Sequence, residues 1–508
     1  MPDYIFLLES RLSPEQRAAL ERVQELARAE GLNIYLTGGA VRDLISGQPI
    51  RDLDFTVEGN PARMVRELEK GGAKVAWESE RLRHYEMIFA GDADGSISGA
   101  RDEVYDRPGA RPELRFSSIM EDLRRRDFSI NAIAISLNLQ SGGLLLDPTN
   151  GLADLERQEL RVLSIHAFTN QPIRLLRILR YCARMGFKME SRTQEWFELA
   201  MERGLAERIE GGDVGHEIRA LARDDSPVPA LKAWEARGLL TTIHPQLQRR
   251  KPDYESLNRL ARARANFLAN GMRLRLQAPV TYYLLRRLKS REASAALHHM
   301  EFRSAEIDAI ARLLPDAQKI SKALKGRATA AARDAYFFIA SVPPEMLAFL
   351  EVEMPHPRAM AKVRNYMQKW RPMRLALPIA ELDALGIPRG ARFDKILEQL
   401  FELQLRGRAR APEDRAKALR QLAGIKEQPA KKPEKLRKRK EGATSPAPAA
   451  KLPEKSAEEA AHPAAPPAPE KTGAEPEKGA AAPRKGAKPS RAARPKHARR
   501  PARKSRRR

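Results

Sequence analysis

The chain has 508 residues, one cysteine and a formal net charge of +26. That length calls for more than one domain, the lone Cys182 excludes an intramolecular disulfide framework and points to a reducing compartment, and the charge points to a polyanionic partner, nucleic acid or an anionic membrane surface. No apolar run approaches the ~20 residues that a membrane span needs, and Met1–Ser10 is too short and too acidic for a secretory leader, so a soluble, cytoplasmic protein is expected.

Ser13-Pro14-Glu15 reads as an N-cap, a first-turn proline and an early acid, opening a helix over residues 13–30. Leu20, Val23, Leu26 and Ala27 form its apolar face, and Gly31 ends it. Ile34–Leu36 predicts a strand that stops at Gly38-Gly39, with a helix from Ala40. Glycines between a strand and a helix let backbone N–H groups approach a phosphate. Asp52 and Asp54 follow on a second predicted strand, where residues two apart share a face. Two carboxylates side by side repel one another and call for a cation. As hard oxygen ligands facing a phosphate-binding turn, they suit Mg²⁺ and two-metal phosphoryl chemistry. Pro61–Lys70 predicts a further helix, stopped by Gly71-Gly72, and residues 73–104 predict strands and a loop around Gly91–Gly95. This alternation predicts a small mixed α/β domain.

Gly38-Gly39-Ala40-Val41-Arg42-Asp43 followed by Asp52-Leu53-Asp54 resembles the first motif of class II tRNA nucleotidyltransferases and bacterial poly(A) polymerases, members of the polymerase-β-like nucleotidyltransferases. The resemblance implies Asp52 and Asp54 as catalytic ligands of two Mg²⁺ ions, and Gly38, Gly39 and Arg42 as contacts to the phosphates of ATP or CTP. Residues 121–137 set three arginines before an isoleucine-rich run that predicts a buried strand, and arginine suits phosphate by forked donation. Arg125-Arg126-Asp127-Phe128-Ser129-Ile130-Asn131-Ala132 resembles the family's second motif, with Ser129 for threonine. The resemblance assigns Arg126 to the triphosphate, with Asp127 and Asn131 at the sugar end of the pocket. Asp147–Leu155 reads as a turn and resembles the hinge between the family's head and neck.

Residues 170–187 predict a helix with Pro172 in its first turn and Gly186 as its C-terminal cap. Arg174, Arg177, Arg180 and Arg184 share one face. Four like charges on a face call for a bound polyanion, the alternative being a solvated basic face. Relatives carry Glu-Asp-Pro-x-Arg here, and in them the second acid and the arginine read the base edge without a template. This chain has Asn170-Gln171 in place of the two acids. The resemblance therefore places Gln171 and Arg174 at the base, with Arg177 and Arg180 as further nucleotide contacts, and an amide both donates and accepts where a carboxylate only accepts. Two other departures are Ser96, where relatives have an acid five residues before Arg101, with Asp94 as a candidate substitute, and His84-Tyr85-Glu86, where relatives have Phe-Gly-Thr.

Residues 188–424 are helix-patterned, for example over Leu231–Leu240, Pro279–Lys289 and Arg303–Leu314, with proline breaks at 343–344, 355–357 and 372–378. Tyr282, Tyr283 and Trp370 read as core, with stacking on RNA as the alternative. Leu382–Leu397 resembles the C-terminal body of bacterial tRNA nucleotidyltransferases. Residues 425–508 hold 25 Lys or Arg against nine Glu and no Phe, Trp or Tyr. This predicts a disordered tail that either contacts RNA without sequence preference, in a salt-dependent way, or serves solubility alone. The expected organisation is α+β: a nucleotidyltransferase head of mixed sheet and helices (1–165), a helical neck (166–225), a helical RNA-binding body (226–424) and the basic tail (425–508). The resemblance implies template-independent nucleotide addition to RNA 3′ ends, first of all CCA or part of it onto tRNA from CTP and ATP. The alternatives are a poly(A) polymerase and an inactive RNA-binding member of the family.

Overall fold

The computed structural model describes residues 4–425, all within one compact unit. The tail expected from 425 onward lies, except for Ile425, outside the described residues. The chain opens with α1 (Tyr4–Arg11) and α2 (Pro14–Ala29). Ser13 caps α2 reciprocally: its Oγ accepts from the Gln16 N–H at 3.2 Å, and Gln16 Oε1 accepts from the Ser13 N–H at 3.1 Å. Gln16 Nε2 also donates to the Ile50 carbonyl at 3.0 Å, tying α2 to the irregular stretch just ahead of Asp52. Ser13→Ala is expected to cost about 1 kcal/mol, read as a lower denaturation midpoint at unchanged slope.

The head continues through β1 (Asn33–Thr37), α3 (Gly39–Ile45), β2 (Leu53–Glu58), α4 (Ala62–Lys70), β3 (Lys74–Ser79), β4 (His84–Phe89), β5 (Ala93–Gly99), β6 (Arg101–Val104), β7 (Glu113–Phe116), α5 (Ile119–Arg124), β8 (Ala134–Ser136) and β9 (Leu145–Leu146). One seven-stranded sheet runs in the order β3-β4-β5-β2-β1-β8-β9. It is antiparallel except where β2 and β5 lie parallel, while β6 and β7 form a separate hairpin. The mixed sheet with helices is the expected head architecture. Three local expectations are corrected. Asp52 stands one residue before β2 rather than on it. Asp94 and Gly95 belong to β5, so the loop of the β4–β5 hairpin is confined to the turn at Gly91-Asp92. The run after Asp127 is buried but is not one strand: residues 129–131 form a single 3₁₀ turn, and only Ala134–Ser136 pairs in the sheet. The turn is fixed from outside the segment, since Gly151 packs against the Ser129 carbonyl, where a Cβ at Gly151 would stand 2.2 Å from that oxygen.

Next come α6 (Gly151–Arg157), β10 (Glu159–Leu160), α7 (Ala167–Asn170), α8 (Arg174–Met185), β11 (Lys188–Met189), α9 (Ser191–Glu202) and α10 (Gly211–Arg223). Gly186, at φ +72°, ends α8 as expected. β10 and β11 pair in parallel and stitch the end of the head to the chain after α8. Beyond α10 the described chain is helical, as predicted, and the helices are offset from the sequence-based ranges: Val228–Ala236, Gln277–Leu285 and Ser304–Lys325. Tyr283 and Trp370 are buried in the main core, which is continuous with that of the sheet, with Tyr282 half-buried against it. A satellite core around Leu382, Phe393 and Leu400 lies in the last described helices. Among the described residues no single helix is long and apolar enough to cross a membrane.

Candidate active site

A cavity of about 250 Å³ opens where the β1–α3 turn, the approach to β2, the middle of β4 and β5, α8 and α10 meet. Gly38 makes the turn at φ +65°, a backbone state that suits glycine, and a Cβ there would stand 3.2 Å from Arg126 Nη1 and 3.7 Å from Asp54 Oδ2. The register puts Asp54 opposite Ser96 on β5, and Ser96 opposite Glu86 on β4, so all three share one face. Ser96 Oγ donates to Asp54 Oδ1 at 2.8 Å and fixes that carboxylate. Burial raises the Asp54 pKa, opposed by the Ser96 hydrogen bond and the Arg126 and Arg223 charges. Asp52 keeps a third of its side chain exposed at the cavity mouth. Burial pushes its pKa up to about 6, with Arg223 opposing and Asp54 adding to the rise.

Gly39, Arg42, Asp52, Asp54 and Arg180 of the sequence-derived residues line this cavity. Gly38 adjoins it. Arg42 is buried, with Nε donating to Asp43 Oδ1 at 2.8 Å and Nη1 to Asn131 Oδ1 at 2.7 Å. Arg126, Asp127, Asn131 and Arg177 stand behind the wall as a hydrogen-bonded chain. Arg126 Nη2 donates to Asp122 Oδ2 at 2.9 Å, Thr56 Oγ1 at 3.0 Å and Thr37 Oγ1 at 3.1 Å. Asp127 accepts from Asn131 Nδ2 at 3.0 Å and from Arg177 Nη1 at 3.1 Å. Gln171 and Arg174 belong to a second network. Arg174 Nε donates to Gln171 Oε1 at 3.2 Å, while Gln171 Nε2 donates to Glu103 Oε2 at 2.9 Å and to Tyr105 Oη at 3.3 Å. The carboxylate absent at position 171 is thus present one side chain away, on Glu103. Asn170 points elsewhere and accepts from the Gly109 N–H.

Three arginines of this α8 face, Arg177, Arg180 and Arg184, pair with carboxylates inside the protein. Arg177 and Arg180 both donate to Glu217 of α10, at 3.2 and 2.5 Å, and Arg180 also reaches Asp224 at 3.1 Å. Arg184 Nη2 donates to Asp43 Oδ2 at 3.2 Å. These pairs bind the head, α8 and α10 together.

Glu86, Ser96 and Arg223 are among the cavity residues to which sequence reading gave no role as they stand. Asp94, the candidate substitute for the acid absent at position 96, is held by Arg275 Nη2 at 3.1 Å outside the cavity lining, whereas Glu86 enters it. Arg223 Nη1 stands 3.8 Å from Asp52 Oδ2. No local pattern marks it, because α10 brings it from more than 160 residues away. Among the described residues no three His, Cys, Asp or Glu side chains group as they do around a protein-caged metal. Mg²⁺ needs no such cage, since it keeps water and takes one or two carboxylates plus substrate phosphates, and the Asp52/Asp54 oxygens at an open cavity fit that donor set.

Residues 34–161 match the family described as the poly A polymerase head domain. The match spans the Gly38–Asp54 and Arg125–Ala132 motifs, so the resemblance read from them holds. The chain is 25% identical over 431 residues to an A-adding tRNA nucleotidyltransferase of Geobacter sulfurreducens, covering 83% of this chain and 48% of that one. It is 37% identical over 213 residues to one of Aquifex aeolicus, covering 42% and 26%, and 35% identical over 178 residues to a CC-adding tRNA nucleotidyltransferase of Deinococcus radiodurans, covering 35% and 47%. The chain spans about half the length, or less, of these relatives.

Proposed function

We propose that the protein is a cytoplasmic, template-independent nucleotidyltransferase that adds CCA, or part of it, to tRNA 3′ ends from CTP and ATP. The observation that carries this reading is the Asp52/Asp54 pair, set within the head-domain match and sharing one cavity with Arg42, Arg180 and Arg223. The RNA 3′-hydroxyl would attack the nucleotide α-phosphate and release pyrophosphate. Bound Mg²⁺ at Asp52 and Asp54, two ions in all, supplies the charge that lowers the hydroxyl's pKa and steadies the leaving group. Ser96 holds Asp54 in orientation. Gly38 and Gly39 let the turn's backbone come close to the phosphates, and Arg42, Arg126, Asp127 and Asn131 keep that wall rigid through their mutual hydrogen bonds. Gln171 and Arg174, with Glu103 beside them, offer donors and acceptors for a base edge. In this reading residues 1–165 are the head, 166–225 the neck and 226–424 the tRNA-holding body.

Addition of A alone is the second reading, supported by the A-adding relatives and by the carboxamide at position 171. Incorporation on tRNA ending before C74, after C74 and after C75, with CTP and ATP separately and together, tests both. Two C and one A on the shortest substrate supports CCA addition. A single A only on tRNA already ending in CC supports A addition. Long A tracts on unstructured RNA would move the protein to poly(A) synthesis, and no incorporation on any substrate would leave an inactive RNA-binding protein.

With Asp52 pushed up to about 6, cation binding at the pair is expected to weaken as pH falls through 6, well above the range of an ordinary aspartate. A protonated carboxyl is a poor ligand, so the affinity lies on the high-pH side. Mn²⁺ titration between pH 5 and 8 checks this, and a flat profile down to pH 5 would contradict it.

A further inference from the structure

Arg223 ends α10, where a cation suits the helix dipole. Its backbone is pinned: the carbonyl accepts from Arg264 Nη2 at 2.8 Å and from Arg51 Nη1 at 3.3 Å. Its side chain is held far more loosely. Nη2 reaches both Glu86 carboxylate oxygens at 3.4 Å, and Nη1 lies 3.8 Å from Asp52 Oδ2. Charge-assisted contacts normally close to about 2.7–2.9 Å. Nε and Nη1 donate no hydrogen bond among the described residues, and 45% of the side chain is exposed.

The neighbouring guanidiniums are committed elsewhere. Arg42 is spent on Asp43 and Asn131, Arg180 on Glu217 and Asp224, and Arg184 on Asp43, with shorter contacts throughout. A phosphate entering the cavity would have to break those pairs to recruit them. Arg223 offers a fork with unused donors, a fixed base and a weak resting partner. A polyphosphate, with several charged oxygens, outcompetes one carboxylate at 3.4 Å.

We propose that Arg223 binds the polyphosphate of the incoming nucleotide, and that Glu86 is the positioning residue on which it rests when the cavity is empty of nucleotide. This rests on the nucleotidyltransferase reading and adds to it a residue from outside the head domain.

Calorimetric titration of the full chain with ATP and with AMP, in Mg²⁺, tests the proposal. Arg223→Ala should weaken ATP binding by roughly tenfold, the worth of one charge-assisted contact, while AMP binding stays unchanged. Arg223→Lys should recover part of the loss. Glu86→Gln should tighten ATP a few-fold, because it removes the competing carboxylate. That opposite sign is what a purely structural Glu86–Arg223 pair would not give. Thermal unfolding of each variant shows that the fold persists. The proposal is overturned if Arg223→Ala binds ATP like the parent chain, if it loses ATP and AMP equally, or if Glu86→Gln weakens ATP as Arg223→Ala does. A parent chain that binds no ATP at all would overturn the nucleotidyltransferase reading as well, which separates the two failures.

Discussion

On the nucleotidyltransferase reading, Asp52→Ala and Asp54→Ala are each expected to stop nucleotide addition while leaving RNA affinity and stability in place. The expected loss in single-turnover rate is roughly three orders of magnitude or more, about 4 kcal/mol of transition-state stabilisation. Both carboxylates have pKa values raised by burial, and Asp52 is raised further by the Asp54 charge. In the absence of a cation the fold therefore carries two acids that repel one another, with Ser96, Arg126 and Arg223 only partly compensating. Removing one relieves that repulsion, so the denaturation midpoint should hold or rise. Loss of turnover with retained or increased stability marks a pair kept for chemistry rather than for folding. Parent-like rates for Asp52→Ala in Mg²⁺ would sink the metal assignment. A fall in stability and RNA affinity alongside turnover would make the pair structural.

The chemistry of this cavity was legible where its residues are close in sequence. Gly38-Gly39 and Asp52-x-Asp54 lie within one strand–turn–helix–strand unit, so their spacing alone places turn and carboxylates together. What periodicity could not show is what a face meets. The recurrence of Arg174, Arg177, Arg180 and Arg184 identifies one side of α8, but Asp127, Glu217 and Asp224 arrive from 37 to 50 residues away. A face that looks unpaired in isolation therefore meets carboxylates in the fold. The same limit hid Glu86, which belongs to the cavity only through the β4–β5–β2 register, and Arg223, which reaches it from the far end of α10. The misread strand after Asp127 has a different cause. A short buried apolar run is compatible with a strand or a turn, and Gly151 against the Ser129 carbonyl decides for the turn.

Glu217→Gln separates the two meanings of that arginine face. Glu217 is 2% exposed, and its two oxygens are divided between Arg177 and Arg180. Burial alone would raise its pKa, but the two guanidiniums outweigh burial and hold it below the usual carboxylate range. A depressed pKa in the folded state means that the pairing stabilises the fold above the unfolded carboxylate range and is lost as pH falls through the lower, folded value. The amide removes the charge while leaving Arg177 with Asp127 and Arg180 with Asp224, a half-buried and a buried cation each short of one partner. The expected cost is about 3 kcal/mol, since breaking a buried pair from one side leaves charge without compensation. It should appear as a lower denaturation midpoint near pH 7, and the gap between variant and parent should narrow in acid. RNA affinity measured well below the unfolding transition should not change. If Glu217→Gln instead left stability intact and altered RNA binding, Arg177 and Arg180 would be contacts for RNA that Glu217 merely screens, and the junction of α8 with α10 would have to be held by apolar packing alone.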